Sequence, residues 1–323
     1  MFLSPVSKLR RIIGRASLLF LAFALPGCSM VRLAYDQAPN VVYWWIDGHV
    51  DADGEQTLKL RQAIDRWFAW HRRSQLPEYA ALLVRAQREI ALPITPAAMC
   101  GWAAEVQKRV DIALDEALPA AADLMPTLTP EQLKHIERRL KKSQDEMQAD
   151  FMQADLAERK AEAFERGLKR FENLYGRLDA GQRDLLAAQL GKSSFDAERW
   201  LAERRLRQRE LLQTLATVSS AARSGSDRAA VAAQARAAAN LLADQTTRSP
   251  RADYRSYQQR LMQENCALAA TLHNATTPAQ RQFARAKLKG WEDDVRALVA
   301  AGNGAGSGSA SREGSAPAAI ESR

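Results

Sequence analysis

Residues Thr129–Tyr175 read TPEQLKHIERRLKKSQDEMQADFMQADLAERKAEAFERGLKRFENLY. Leu133, Ile136, Leu140, Met147, Phe151, Ala154, Ala161, Phe164, Leu168, Phe171 and Tyr175 fall three or four apart almost throughout. The ten basic and ten acidic side chains of the stretch lie nearly all off that stripe. This is the period of an amphipathic helix packed along one apolar face. The stretch predicts one long helix running to Leu178, with Gly167 and Gly176 as bends. As a single helix its 47 residues would extend roughly 70 Å. The stripe is mixed rather than Leu-rich, which argues for packing along a body rather than a free coiled-coil arm.

The same period continues on both sides. Upstream, Pro39 opens a short helix through Ile46 that Gly48 ends. Leu58, Leu60, Ile64, Trp67, Phe68 and His71 mark a helix over 55–74, and Pro77-Glu78 restarts the chain into another, closed near Pro93. Thr95-Pro96 begins a helix to Leu118 whose apolar face is Met99, Trp102, Val106, Val110 and Leu114. Pro119, Pro126 and Pro130 bracket a linker. Downstream, helices are expected at about 180–191, 196–222, 226–247, 251–274 and 278–300, and residues 226–239 are Ala-rich and suited to close helix contact. Period-two runs of β-branched and aromatic residues are absent, so the expectation is an all-α, multi-helix bundle of about nine helices. Residues 28–125 and 126–300 are expected to pack as one body, and the Gly/Ser/Ala-rich tail 301–323 to be disordered.

The N-terminus points to export. Lys8, Arg10, Arg11 and Arg15 precede an apolar run from Ala16 to Leu25, too short to span a bilayer but suited to a secretory signal. Leu25-Pro26-Gly27-Cys28 resembles the lipobox of bacterial lipoproteins. The resemblance implies removal of residues 1–27, acylation of Cys28 with a diacylglyceryl group such as a palmitate-bearing one, and stable anchoring by two or three chains. Ser29 stands where an inner-membrane retention signal would carry Asp, which favours the outer membrane, facing the periplasm. Without the four basic residues of the leader, the formal +8 falls to +4 on a mixed-charge surface. Such a surface is a weak argument for nucleic acid, which is not expected as a partner; the partners expected are the membrane and envelope proteins or unfolded clients. In an oxidising compartment the two other cysteines, Cys100 and Cys266, either pair or stay separately buried as thiols. Pairing, the favoured alternative, would stabilise the fold by roughly 4–5 kcal/mol on the loop-entropy model.

Four helix starts share one signature, a capping residue followed three later by Gln: Asp53–Gln56, Thr129–Gln132, Asp179–Gln182 and Thr277–Gln280. In such a box the cap oxygen accepts an orphan N–H and the Gln reaches back to the cap's own N–H. The pattern is either four good caps or the trace of a repeated helical unit. Leu128-Thr129-Pro130-Glu131-Gln132 resembles the LTxxQ signature of Spy-type periplasmic chaperones, which implies a helical cradle for unfolding proteins. More broadly, LPGCSMVRLAYDQAPNVVYWWIDGHVD and WFAWHRRSQLPEYAALL (67–83) resemble a family of proteobacterial lipoproteins of unknown function. That resemblance, strongest over the first ninety residues, implies export, an acylated cysteine and a helical body, with no reaction or cofactor.

Chemistry has few candidates. Trp67, Trp70, His71, Arg72 and Arg73, with Trp44, Trp45 and Asp47 upstream, form the densest polar-aromatic cluster, read as an interaction site or a clamp on the aromatic segment. His49 and His71 could bind a metal only if the fold joined them, since no local spacing pairs them. Arg138, Arg139, Lys141 and Lys142, and Arg204, Arg205, Arg207 and Arg209, read as solvated helix faces. No phosphate loop, nucleophile elbow or zinc spacing is present, so no catalytic residue, metal site or cofactor is assigned. The expected function is non-catalytic protein binding of a chaperone-like or envelope-stress kind. The alternatives are docking of one dedicated envelope partner, or an uncharacterised hydrolase.

Overall fold

A computed structural model describes the backbone of residues 30–307 and the side chains of 31–302. The leader, Cys28 and residues 308–323 lie outside the described residues. Among the described residues ten α-helices follow in order: α1 Met30–Val50, α2 Gly54–Glu89, α3 Pro96–Leu124, α4 Pro130–Phe151, α5 Leu156–Tyr175, α6 Ala180–Leu190, α7 Ala197–Arg223, α8 Arg228–Thr247, α9 Ala252–Asn274 and α10 Pro278–Ser307. A 3₁₀ turn, Met125–Thr127, joins α3 to α4. No strand occurs among the described residues, and no helix there is long and apolar enough to cross a membrane.

The chain is an all-α bundle. Its most extensive pairing joins α2 to α10, the second helix to the last. Helix α3 packs against α8 and α9, α4 against α7 and α1, and α5 against α6 and α10. One core gathers Ala122, Met125, Leu128, Ile136, Leu215, Val218, Ala235 and Ala239, where α3, α4, α7 and α8 converge. The Ala-rich α8 turns Val231, Ala235 and Ala239 inward at four-residue spacing, and side chains this small let neighbouring backbones approach closely. A second core of Leu168, Leu178, Leu186 and Leu272 joins α5, α6 and α9. Burial of each such leucine contributes about 1.5–3 kcal/mol. Cys100, in the first turns of α3, is bonded to Cys266 of α9 with Cα atoms 5.3 Å apart.

The long central helix does not form as one piece. α4 ends at Phe151, Met152 leaves helical geometry at φ −123° and ψ 41°, and Asp155 starts α5 by accepting the N–H of Ala157 at 2.8 Å. The break gives Phe151 a corner to fill. Its ring meets Trp200 at 5.0 Å and Phe195 at 6.1 Å, and Arg166 covers it at 4.6 Å. Of the expected bends, Gly176 ends α5 with φ +76°, whereas Gly167 stays helical where a Cβ would lie 3.1 Å from Leu190.

Prolines interrupt less than their chemistry suggests. Pro39, Pro77 and Pro119 all lie inside helices, so α1 begins well before Pro39 and continues past Gly48, α2 is continuous through Pro77, and α3 runs to Leu124. Pro77 and Pro119 are exposed, a position in which the carbonyl freed four residues back can turn to water. Val106, Val110 and Leu114 do not belong to the core: they are 56, 45 and 38% exposed. α10 continues to Ser307, past the point where composition predicts order to end.

Candidate functional site

All four Asp/Thr–Gln pairs close as reciprocal caps. The N–H groups of Gln56, Gln132, Gln182 and Gln280 donate to the oxygens of Asp53, Thr129, Asp179 and Thr277 at 2.9–3.2 Å. Each glutamine Oε1 accepts its own cap's N–H in return. The caps then join in twos. Gln56 Nε2 donates to Gln132 Oε1 at 3.2 Å while Gln132 Nε2 donates to Gln56 Oε1 at 2.6 Å. Gln182 and Gln280 exchange the same bonds at 2.7 and 2.9 Å.

The remaining amide hydrogens follow one rule. Gln132 donates to the carbonyl of Asp51, Gln56 to Thr127, Gln280 to Arg177 and Gln182 to Ala275. Every acceptor lies two residues before the partner's cap. Each amide thereby satisfies both its donors and accepts twice. Asp51 is the one described non-glycine with positive φ, at 57°, a conformation short polar side chains tolerate. Two clasps of equal design thus tie α2 to α4 and α6 to α10. The LTxxQ-like residues Thr129 and Gln132 perform cap-and-clasp work here that needs no client.

Around His71 four helices meet. The Tyr35 hydroxyl lies 2.9 Å from Nδ1 and the Tyr79 hydroxyl 3.3 Å from Nε2. Trp67 stacks on the imidazole at 4.7 Å, and its indole N–H donates to the carbonyl of Ala113 in α3 at 2.9 Å. Arg72 lies over the Tyr35 ring at 5.1 Å, donates to Asp36 at 3.1 Å and reaches the Leu298 carbonyl of α10 at 3.5 Å. Burial holds the His71 pKa below its usual value. Burial likewise pushes the Tyr35 hydroxyl up to about 12, against the opposing pull of Arg72.

His71 and Arg72 therefore hold α1 through Tyr35 and Asp36. Trp44 and Trp45 face outward, each 65% exposed, and Asp47 caps its own loop by accepting the Ala52 N–H at 3.1 Å. Trp70 leans on Trp67 at 6.0 Å, and Arg73 is exposed. His49 bonds the Trp45 carbonyl of its own helix at 2.7 Å. Among the described residues, no three His, Cys, Asp or Glu side chains gather to hold a metal ion.

Two further polar centres escaped the sequence reading. His273 is buried, with its Nδ1 2.7 Å from the Tyr175 hydroxyl and Nε2 2.7 Å from the Leu92 carbonyl. Only an Nε2–H can serve that carbonyl, so Nδ1 accepts from the tyrosine. Burial keeps this imidazole's pKa low as well. Tyr175 and His273 each stand four residues before a clasped cap, which is the signal that could have paired them. The second centre is Glu203, buried in α7. It accepts from Arg251 Nε at 2.6 Å, Arg251 Nη2 and Arg207 at 2.9 Å, and Ser249 at 2.7 Å. Burial alone would raise its pKa, but these donors outweigh it and hold the carboxyl at about 2. Arg204 and Arg205 donate to Ser143 and Gln148 of α4, and Arg207 to the Thr246 carbonyl of α8. Three of the four arginines read as a solvated face thus cross-link helices, Arg205 while staying exposed.

A model for a family of unknown function, DUF6279, matches residues 48–228, more than half of the chain. The chain belongs to this family. The DUF6279 match runs from Gly48 to Arg228, so it takes in the whole first clasp together with His71 and its neighbours on α2. Most of α1 and nearly all of α8–α10 fall outside it, and with them one half of the second clasp, Ala275 to Gln280. No curated protein and no solved structure matches the chain. The family description names no activity, cofactor or substrate.

Proposed function

We propose that this protein is a lipid-anchored envelope lipoprotein that works by non-catalytic, chaperone-like binding of other proteins. The observation that carries the binding reading is the row Val106, Val110 and Leu114 on α3, three branched apolar side chains one helical turn apart and open to solvent. Charged residues flank the row, including the Glu105–Arg109 pair at 3.1 Å. An exposed apolar strip with a polar rim suits an apolar segment of another chain. The lipobox-like Leu25–Cys28 supports the anchor, and the Cys100–Cys266 bond suits an oxidising compartment. His71 and His273 have both ring nitrogens bonded to groups of the fold, a structural use that fits a non-catalytic reading.

The test places a photo-crosslinking residue at Gln107 or Leu114 in intact cells. Many unrelated exported proteins, enriched under unfolding stress and lost in Val110→Asp, are the expected capture. One recurrent envelope component would replace the chaperone reading with docking of a dedicated partner.

A further inference from the structure

The outer face of α1 is open from Leu33 to Trp45 and meets α4 at Gly48, whose carbonyl lies 3.1 Å from His135 Nε2. At 100° per residue, Leu33, Ala34, Gln37, Val41, Trp44 and Trp45 share an arc of about 120°. All six are exposed and none is charged. The acidic residues of the helix are turned elsewhere, Asp36 onto Arg72 and Asp47 onto the Ala52 N–H. The opposite face is fixed: Tyr35 is held at His71, and Tyr43 lies under Arg61 at 3.7 Å with its hydroxyl 3.4 Å from Thr57. The helix therefore cannot roll to hide its outer residues. The indole N–H groups of Trp44 and Trp45 bond no described residue and both rings are exposed, so each offers an apolar body and a polar edge open to the surroundings.

From this geometry we infer that the outer face of α1 lies on the lipid leaflet that carries the anchor, with Trp44 and Trp45 at headgroup level. The inference rests on the lipid-anchor reading in one respect, the position of the tether. Cys28 precedes the first residue of α1 by two positions, at most about 7 Å of chain. An acylated Cys28 would hold this helix beside the bilayer, and a face of uncharged residues with paired tryptophans suits the interfacial region. The tether is what favours lipid over a protein partner, since it leaves little distance between this face and the surface.

The experiment uses the mature acylated chain in vesicles of phosphatidylethanolamine and phosphatidylglycerol, with and without brominated acyl chains. Bromine should quench tryptophan emission in the wild type, and Trp44→Phe/Trp45→Phe should lose most of that quenching. Trp102→Phe should keep it. The thermal midpoint should not move, because both side chains are exposed. Quenching that is absent, or unchanged in the double variant, overturns the proposal. Mass spectrometry of the N-terminal peptide reports acylation separately. An unacylated Cys28 sinks the anchor reading, and Trp44/Trp45 quenching then decides the face alone; an acylated chain without that quenching sinks only the face.

Discussion

His71 and His273 are buried imidazoles whose neutral form the fold requires. Their pKa values lie below the ordinary 6.5, so the unfolded chain binds protons more readily than the folded one. The stability they contribute is present above pH 6.5 and is lost as pH falls through their lowered folded values. Urea titrations at stepped pH should show stability falling below 6.5, and His71→Gln/His273→Gln should flatten that slope. The clasp glutamines make a second residue-scale prediction. Gln132→Glu sets a carboxylate against the Asp51 carbonyl and should cost about 2–3 kcal/mol. A double-mutant cycle on Gln56 and Gln132 should return a coupling of about 1 kcal/mol or more, and a value near zero would contradict the clasp. The glutamines were legible as caps because a cap is local. Their pairing was not, since it joins residues 76 and 98 positions apart.

Between elements, the same contrast holds. Helix starts were readable from side chains that bond within three residues, whereas the break after Phe151 was masked by an apolar stripe that keeps its period across the corner. Its signal was Asp155, a capping residue that closes on the Ala157 N–H without the return bond of the boxes seen elsewhere. The proline-bearing helices misled in the other direction, because packing outweighs one missing hydrogen bond on an exposed face. Glu203 ties α7 to the start of α9 through Arg251. Glu203→Ala leaves that guanidinium without its main partner and should cost about 3 kcal/mol or more in denaturant titration. Since the folded carboxyl sits at about 2 against an ordinary 4.5, its contribution should be complete above 4.5 and fade as pH falls toward 2.

At the scale of the molecule, Cys100–Cys266 closes a separation of 166 residues and joins α3 to α9. Its loss should lower stability by about 5 kcal/mol on the loop-entropy model, read as a lower denaturation midpoint for Cys100→Ser/Cys266→Ser or under reductant. The all-α architecture was plain in the periodicity, but the order in which helices pair was not, because faces of similar apolar character do not name their partners. The pairing of α2 with α10 has a consequence in time. Synthesis reaches Pro278, the first residue of α10, 189 residues after Glu89 ends α2. At roughly 5–20 residues per second, α2 waits about 10–40 s for the helix that covers it. A chain truncated before Pro278 would carry α2 without the helix it packs against most extensively.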